Sequence, residues 1–398
     1  MAYDLAALRQ HFHELIAFWA EKRVPDRGGY HTMFLPNGSW WRLNYEPLLM
    51  RGRLLYVFSE GMRFGIEQAA VAAEHVRQHL PERLRTGYGW YGSRYDDEWC
   101  NEAVLDAYDN LFVVMGLARY HQVTGDAWAG EEAWRLFQQI EHECANGVIA
   151  SGGLFGANQV EGRSRGKNYF RWGTHMPRYS GNVMLHYTEC LARLQDAGIG
   201  DGLADRVAAV RQFFLARLFD FQRCLVIDYY RDGWDQPDYH KPGQVGHTME
   251  WIDFFRCFGD LHLPEDLERE ILRRSLERAL TPSGIFQSNY YFSEERCGGL
   301  TEFWAQPEAA KIFNLGSLLY GEPYSGAARS CFEAYMRYFV ADDGGIYCQA
   351  DATGVITDRS KGGSWKCDFH ATRMIADLLE RGILQTSDTL PELEQAHG

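Results

Sequence analysis

Two stretches decide the fold: "SGIFQSNYYFSEE" at 283–295 and "GGIYCQADATGV" at 344–355. Each sets a glycine beside an aromatic or apolar pair, then a short extended run, then a turn. The same signature occurs as "DRGGYHTMFLPNGSW", "GYGWYGSRYDDEW", "SGGLFGANQVEG" and "CLVIDYYRDGWD", so that copies begin near residues 28, 87, 152, 224, 284 and 344. A recurrence at intervals of roughly sixty residues marks a repeat architecture, in which each copy is one unit of a larger assembly.

The chain between signatures has room for two helices, and apolar residues recur there at helical spacing. "DLAALRQHFHELIAFWAEK" and "EPLLMRGRLLYVFSEGMRFG" lie astride the first signature. "VLDAYDNLFVVMGLARYHQVTG" is followed by "AWAGEEAWRLFQQIEHE", and "SGNVMLHYTECLARLQDA" by "LADRVAAVRQFFLARLF". "GHTMEWIDFFRCFGDL" precedes "PEDLEREILRRSLERAL", "LTEFWAQPEAAKIFNLGSLLYG" precedes "GAARSCFEAYMRYFVA", and "WKCDFHATRMIADLLERG" comes last. One series has charged outer faces. The other is richer in aromatic and small residues, with polar groups near its helix starts. These eleven stretches alternate in kind, and their completion to six pairs, twelve helices in all, predicts an all-α, double-walled (α/α)6 barrel with short β-hairpin connections. At 398 residues the chain exceeds an ordinary single core of about 250–300 residues, and a closed ring answers that: one barrel domain over 1–385, followed by a polar tail at 386–398.

Bulk properties remove several classes of function. A formal charge of −14 argues against nucleic acid, which needs clustered Lys and Arg. No apolar run approaches the roughly 20 residues of a membrane span, and "MAYDLAALRQHFHELIAFW" lacks the pattern of a signal peptide. The nine cysteines are scattered without a C-x-x-C pair, which reads as reduced thiols in the cytoplasm. The 12 Trp, 22 Tyr and 23 Phe suit a cavity lined with rings, and equally a large aromatic core.

The inner-helix starts converge on one cavity. They offer Arg53; Tyr108; Asn182, His186 and Glu189; His247 and Glu250; Trp304, Gln306 and Glu308; and His370. By contrast, His11, His13, His75, His79 and His121 read as surface or packing residues. No G-x-S-x-G elbow is present, nor a phosphate loop or dinucleotide fingerprint, and the histidines come singly from different helices instead of clustering as metal ligands. No cofactor and no metal are therefore expected. Histidines with an arginine suit proton transfer at a carbon beside a carbonyl, because His titrates near neutrality and a fixed cation stabilises the enediolate oxygen. On this reading His247 is the acid/base, and Glu250, one helical turn on, orients it. A glycoside hydrolase using carboxylates such as Glu250 and Glu308 remains a second reading, and a non-catalytic sugar-binding toroid a third.

Taken together, "RLLYVFS" with Arg53, "NVMLHYTEC" with Asn182 and His186, "GHTMEW" with His247 and Glu250, "FWAQPEA" with Trp304 and Glu308, and "WKCDFHATR" with His370 resemble the N-acylglucosamine 2-epimerase superfamily, which includes cellobiose 2-epimerases and mannose isomerase-like aldose–ketose isomerases. The resemblance spans nearly the whole chain. It implies metal-independent chemistry on an unphosphorylated, ring-opened sugar, with His247 and His370 as the acid/base pair and Arg53 on the enediolate oxygen. It further implies that His186 and Asn182 bind substrate and that Tyr108, Trp304 and Glu308 line the sugar site. Trp251 after Glu250 resembles the aldose–ketose isomerases; this favours isomerisation of a mannose-type hexose over 2-epimerisation of an N-acylglucosamine or cellobiose type. The expected partner is a small sugar, with no nucleic acid and no membrane, and the chain is expected to be a monomer or homodimer.

Overall fold

A computed structural model describes residues 5–24, 29–30, 33–34, 45–46, 48–85, 89–92, 94–95, 98–99, 107–142, 179–231, 233–363 and 366–382. The third repeat signature, parts of the first two and the tail expected at 386–398 lie outside the described residues.

Twelve α-helices occur among the described residues: α1 (Leu5–Ala20), α2 (Leu48–Arg63), α3 (Glu67–His79), α4 (Ala107–Thr124), α5 (Ala127–Ile140), α6 (Gly181–Asp196), α7 (Leu203–Phe213), α8 (Val245–Arg256), α9 (Glu265–Ala279), α10 (Ala305–Tyr320), α11 (Tyr324–Ala334) and α12 (Phe369–Arg381). The even-numbered helices touch in chain order, and α12 returns to α2, which closes an inner ring. The odd-numbered helices pack outside it. This is the (α/α)6 barrel.

Burial separates the two walls. Inner α2 is buried without a break from Leu48 to Gly61, and α10 from Ala305 to Ser317. Outer α9 buries only Glu268, Ile271, Leu272, Ser275 and Ala279, the i, i+3, i+4, i+7 stripe of a one-faced helix. Helix α3 comes from a segment with no strong apolar period, "EQAAVAAEHVRQH". Its buried face is Ala69, Ala72, Ala73 and Val76, small enough to lie flat on its neighbours. Between α2 and α4 the backbones meet. A Cβ on Gly52 would come within 2.4 Å of the Phe112 carbonyl carbon, and one on Gly116 within 2.4 Å of the Gly52 oxygen. That close approach sets Arg53 beside Phe112.

Among the described residues, the repeat signatures form antiparallel hairpins at the N-terminal ends of the inner helices. Gly243–Gln244 pairs with Asn289–Tyr291, which pairs with Arg296–Cys297. Thr301–Glu302 pairs with Tyr347–Ala350, which pairs with Ile356–Gly362, and this last strand pairs with Met33–Phe34 (Lys361 opposite Phe34). The last hairpin thus clasps the first and ties the two ends of the ring together. No helix among the described residues is long and apolar enough to cross a membrane. The seven described cysteines are unbonded.

Candidate active site

Five of the candidate side chains sit at helix starts facing one end of the ring. Tyr108 and Asn182 are the second residues of α4 and α6, His247 is the third of α8, Trp304 immediately precedes α10, and His370 is the second of α12. The starts of α4, α6, α8, α10 and α12 therefore turn their positive dipole ends toward this end of the ring. Such a field favours an anion.

His247 is held by Asp228, from the hairpin that follows Leu225–Val226: its Nδ1 lies 3.0 Å from Asp228 Oδ1. Asp228 Oδ2 in turn accepts from the Gln244 backbone N–H at 3.1 Å, so the strand leading into α8 fixes its own first-turn histidine. A carboxylate only accepts, so Nδ1 carries the proton and Nε2 is left for chemistry. Burial disfavours the imidazolium, but the charge and hydrogen bond of Asp228 outweigh it, helped by Glu250 and Glu308, and the His247 pKa is raised. The indole of half-buried Trp304 stacks on this ring at 4.7 Å and 23°.

His370 is the opposite case. Asp368, the residue before α12, adopts a left-handed φ of 58° and is held by Trp19 of α1, whose Nε1 donates to Asp368 Oδ2 at 2.9 Å. This turns the chain so that His370 faces inward, with its Nδ1 2.8 Å from Glu308 Oε1. Burial dominates here, and Arg53 and Arg373 add to it against the pull of Glu308, so the His370 pKa falls to about 3. It is a neutral base with Nε2 free. Trp304 is the shared neighbour of both histidines, 6.0 Å from His370.

His186 repeats the device, with Nδ1 2.9 Å from Glu189 Oε2. Burial lowers its pKa to about 4 despite Glu189. Its ring packs against Tyr108 at 5.3 Å and Phe112 at 4.7 Å. The Asn182 amide bonds the Tyr108 hydroxyl, and Asn182 Oδ1 has no hydrogen-bond partner among the described residues. Arg53 lies over the Phe112 ring at 4.2 Å and over Phe369 at 5.4 Å, so apolar faces fix its guanidinium.

Beneath the histidines is a buried charged layer that the sequence reading did not anticipate. Arg373 reaches Glu189 at 3.1 Å, Glu308 at 3.1 Å, Glu250 at 3.4 Å and Asp253 at 3.5 Å. Lys311 reaches Glu308 at 2.8 Å and Asp253 at 3.1 Å. Burial pushes Glu308 up, but Arg373 and Lys311 outweigh it and hold the carboxyl well below the usual carboxylate range. Glu250 goes the other way: burial and the charge of Glu308 push it up. Atoms of Glu250, Glu308 and His370 lie within 4.8 Å of one another, a spacing that could suit a metal ion. The guanidinium and ammonium beside them already supply the positive charge, so the donor set does not fit a further cation.

Three expectations need correction. Glu250 does not orient His247; Asp228 does, and the Glu250 carboxyl turns to Arg373. Trp251 is not at the sugar site. One residue beyond Glu250 is a rotation of about 100°, and Trp251 is fully buried between the walls against Phe214 (4.8 Å) and Phe255 (5.3 Å). Gln306 bolts the wall, accepting from Phe286 N–H and donating to the Gly284 and Cys331 carbonyls. Of the residues missed, Asp228 lies in a hairpin with no periodic signal. Arg373 was within reach, since it follows His370 by three and so shares its face.

A double ring of helices with three carboxylate-held histidines near one end is the frame of a barrel enzyme, and the family it matches places it in the isomerase class. The chain belongs to the N-acylglucosamine 2-epimerase (GlcNAc 2-epimerase) family, whose model matches residues 28–373. It is 21% identical to a cellobiose 2-epimerase of Ruminococcus albus, covering 95% of this chain and 99% of that protein. Among solved structures it is similar to a sugar epimerase from a ruminal bacterium (TM-score 0.81, 19% identity, 96% of this chain and 100% of that one). It is also similar to a D-mannose isomerase (TM-score 0.79, 18% identity, 96% and 100%).

Proposed function

We propose that this enzyme removes and returns the C2 proton of an unphosphorylated, open-chain aldose, a mannose- or cellobiose-type sugar, with inversion at C2 as the main outcome. The observation that carries this reading is the opposite tuning of two histidines that share Trp304: His370 held neutral and His247 held toward its protonated form.

In the forward step His370 Nε2 takes the C2 proton. The C2–H electron pair becomes the C1=C2 bond of an enediolate, and the negative charge moves to O1. Arg53 and the converging helix N-termini stabilise that oxygen. His247 then gives its Nε2 proton to the other face of C2, the C1=O bond re-forms, and the epimer leaves. Asn182 Oδ1 and His186 bind sugar hydroxyls. Return of the proton to C1 would give the ketose. That second reading draws on the similarity to D-mannose isomerase, but it loses the support expected from Trp251, which packs between the walls. A glycosidase reading is disfavoured because Glu250 and Glu308 are tied to Arg373 and Lys311.

Proton NMR in D2O with D-mannose, N-acetylmannosamine and cellobiose tests the proposal. The expected result is loss of the C2 proton with appearance of the 2-epimer, and its absence in His370→Ala. Ketose as the sole product would move the reading to isomerisation. Retention of the C2 proton in all three sugars, with hydrolysis of a glycoside, would overturn it.

A further inference from the structure

The ring opens again at its other end. The six inner helices, mostly through their C-terminal halves, surround a cavity of about 310 Å3, and His247, His370, Arg53 and Trp304 take no part in its lining. Its cations are Arg63, Arg119, Arg193, Lys311, Arg373 and Arg381. Helix C-termini attract cations, which accounts for their gathering here.

The dipoles do not account for how these cations are partnered. Glu60 serves both Arg63 (2.6 Å) and Arg119 (2.9 Å). Asp253 is shared by Lys311 (3.1 Å), Arg373 (3.5 Å) and Arg381 (3.9 Å). Glu380 also meets Arg63, and Asp377 Oδ1 meets Arg381 at 2.9 Å. Arg193 is served least. One Nη meets Asp196 at the rim (3.1 Å), the other reaches only the Cys257 sulfur at 3.7 Å, and its buried Nε has no hydrogen-bond partner. A buried N–H left without an acceptor is a standing cost to the fold. The positive charge of Arg193 also bears on Arg119, a repulsion that an anion between them would relieve. Asp377 Oδ2 is likewise buried without a partner. Burial and the neighbouring Asp253 push that carboxyl up to about 6, so a proton taken up there makes it a donor.

We infer that this far mouth is a binding site for a small metabolite bearing a phosphate or carboxylate group, which seats its oxyanion on Arg193 and Arg119. The cavity exceeds a bare tetrahedral ion, so it also has room for the carbon skeleton behind the charged group.

Isothermal calorimetry with sodium sulfate, with ionic strength held constant by chloride, tests the site, because sulfate does not titrate near neutrality. Saturable one-to-one binding is expected, weakened about tenfold or more by Arg193→Met. Asp196→Asn frees Arg193 and is expected to tighten sulfate about threefold, a gain that misfolding cannot mimic. Glycerol 3-phosphate and malonate then distinguish phosphate from carboxylate, the tighter of the two naming the group. Non-saturable heats, equal binding in Arg193→Met, or displacement by saturating sugar would overturn the site. Weaker binding of both organic anions than of sulfate would overturn the metabolite.

Discussion

His370 and Glu308 are 62 residues apart in sequence, and their Nδ1 and Oε1 atoms are 2.8 Å apart in space. The carboxylate fixes the tautomer, and in the proposed reaction it would steady the imidazolium formed when His370 captures a proton. Glu308→Gln keeps an acceptor in place and removes the charge. We expect kcat to fall about 100-fold with KM little changed, read from deuterium wash-in at C2. A fall of less than about threefold would remove Glu308 from the chemistry.

His247 depends on Asp228 in the same way, with the opposite net result. The carboxylate favours the imidazolium, so its removal lets His247 lose its proton at lower pH. The alkaline limb of the kcat/KM profile is therefore expected to move to lower pH in Asp228→Asn. An unmoved limb would assign the acid to another group.

The two tryptophans separate site from wall. Trp304→Ala removes the ring stacked on His247, and kcat/KM is expected to drop about tenfold with the unfolding midpoint nearly unchanged. Trp251→Ala empties a buried volume between the walls and should cost about 3–5 kcal/mol of stability, measured by urea unfolding, while the remaining folded enzyme turns over at close to the parent rate.

The charged layer makes a contrast between Arg373 and Glu250. Arg373→Met strands Glu189 and Glu308 without their shared cation, and unfolding should cost about 3–5 kcal/mol less. Glu250 is held toward its neutral form by burial and Glu308, so the neutral isostere in Glu250→Gln should change stability by less than about 1 kcal/mol. Equal losses in both variants would contradict that protonation pattern.

The ring was legible because its parts repeat. Glycine-aromatic turns recur down the chain, and amphipathic stripes such as Glu268, Ile271, Leu272 and Ser275 announce an outer wall. Helix α3 escaped because its buried face is alanine, which carries little hydrophobic contrast. The histidines were legible as single polar groups at inner-helix starts. Their partners were less so: Glu250 is the obvious neighbour of His247 in sequence, whereas Asp228 arrives through a hairpin register that only pairing in three dimensions fixes. Trp251 was misplaced for a simpler reason. Adjacency along a helix is divergence around it, and one step from Glu250 leads out of the cavity into the wall.

The layer formed by Arg373, Lys311 and their carboxylates has a last consequence. A ring of helices is by nature a pipe, and this one is stoppered partway along. On the proposed reading, a sugar resting on the histidines would stand in a cup and leave by the mouth through which it entered. Product and substrate would then share one entrance.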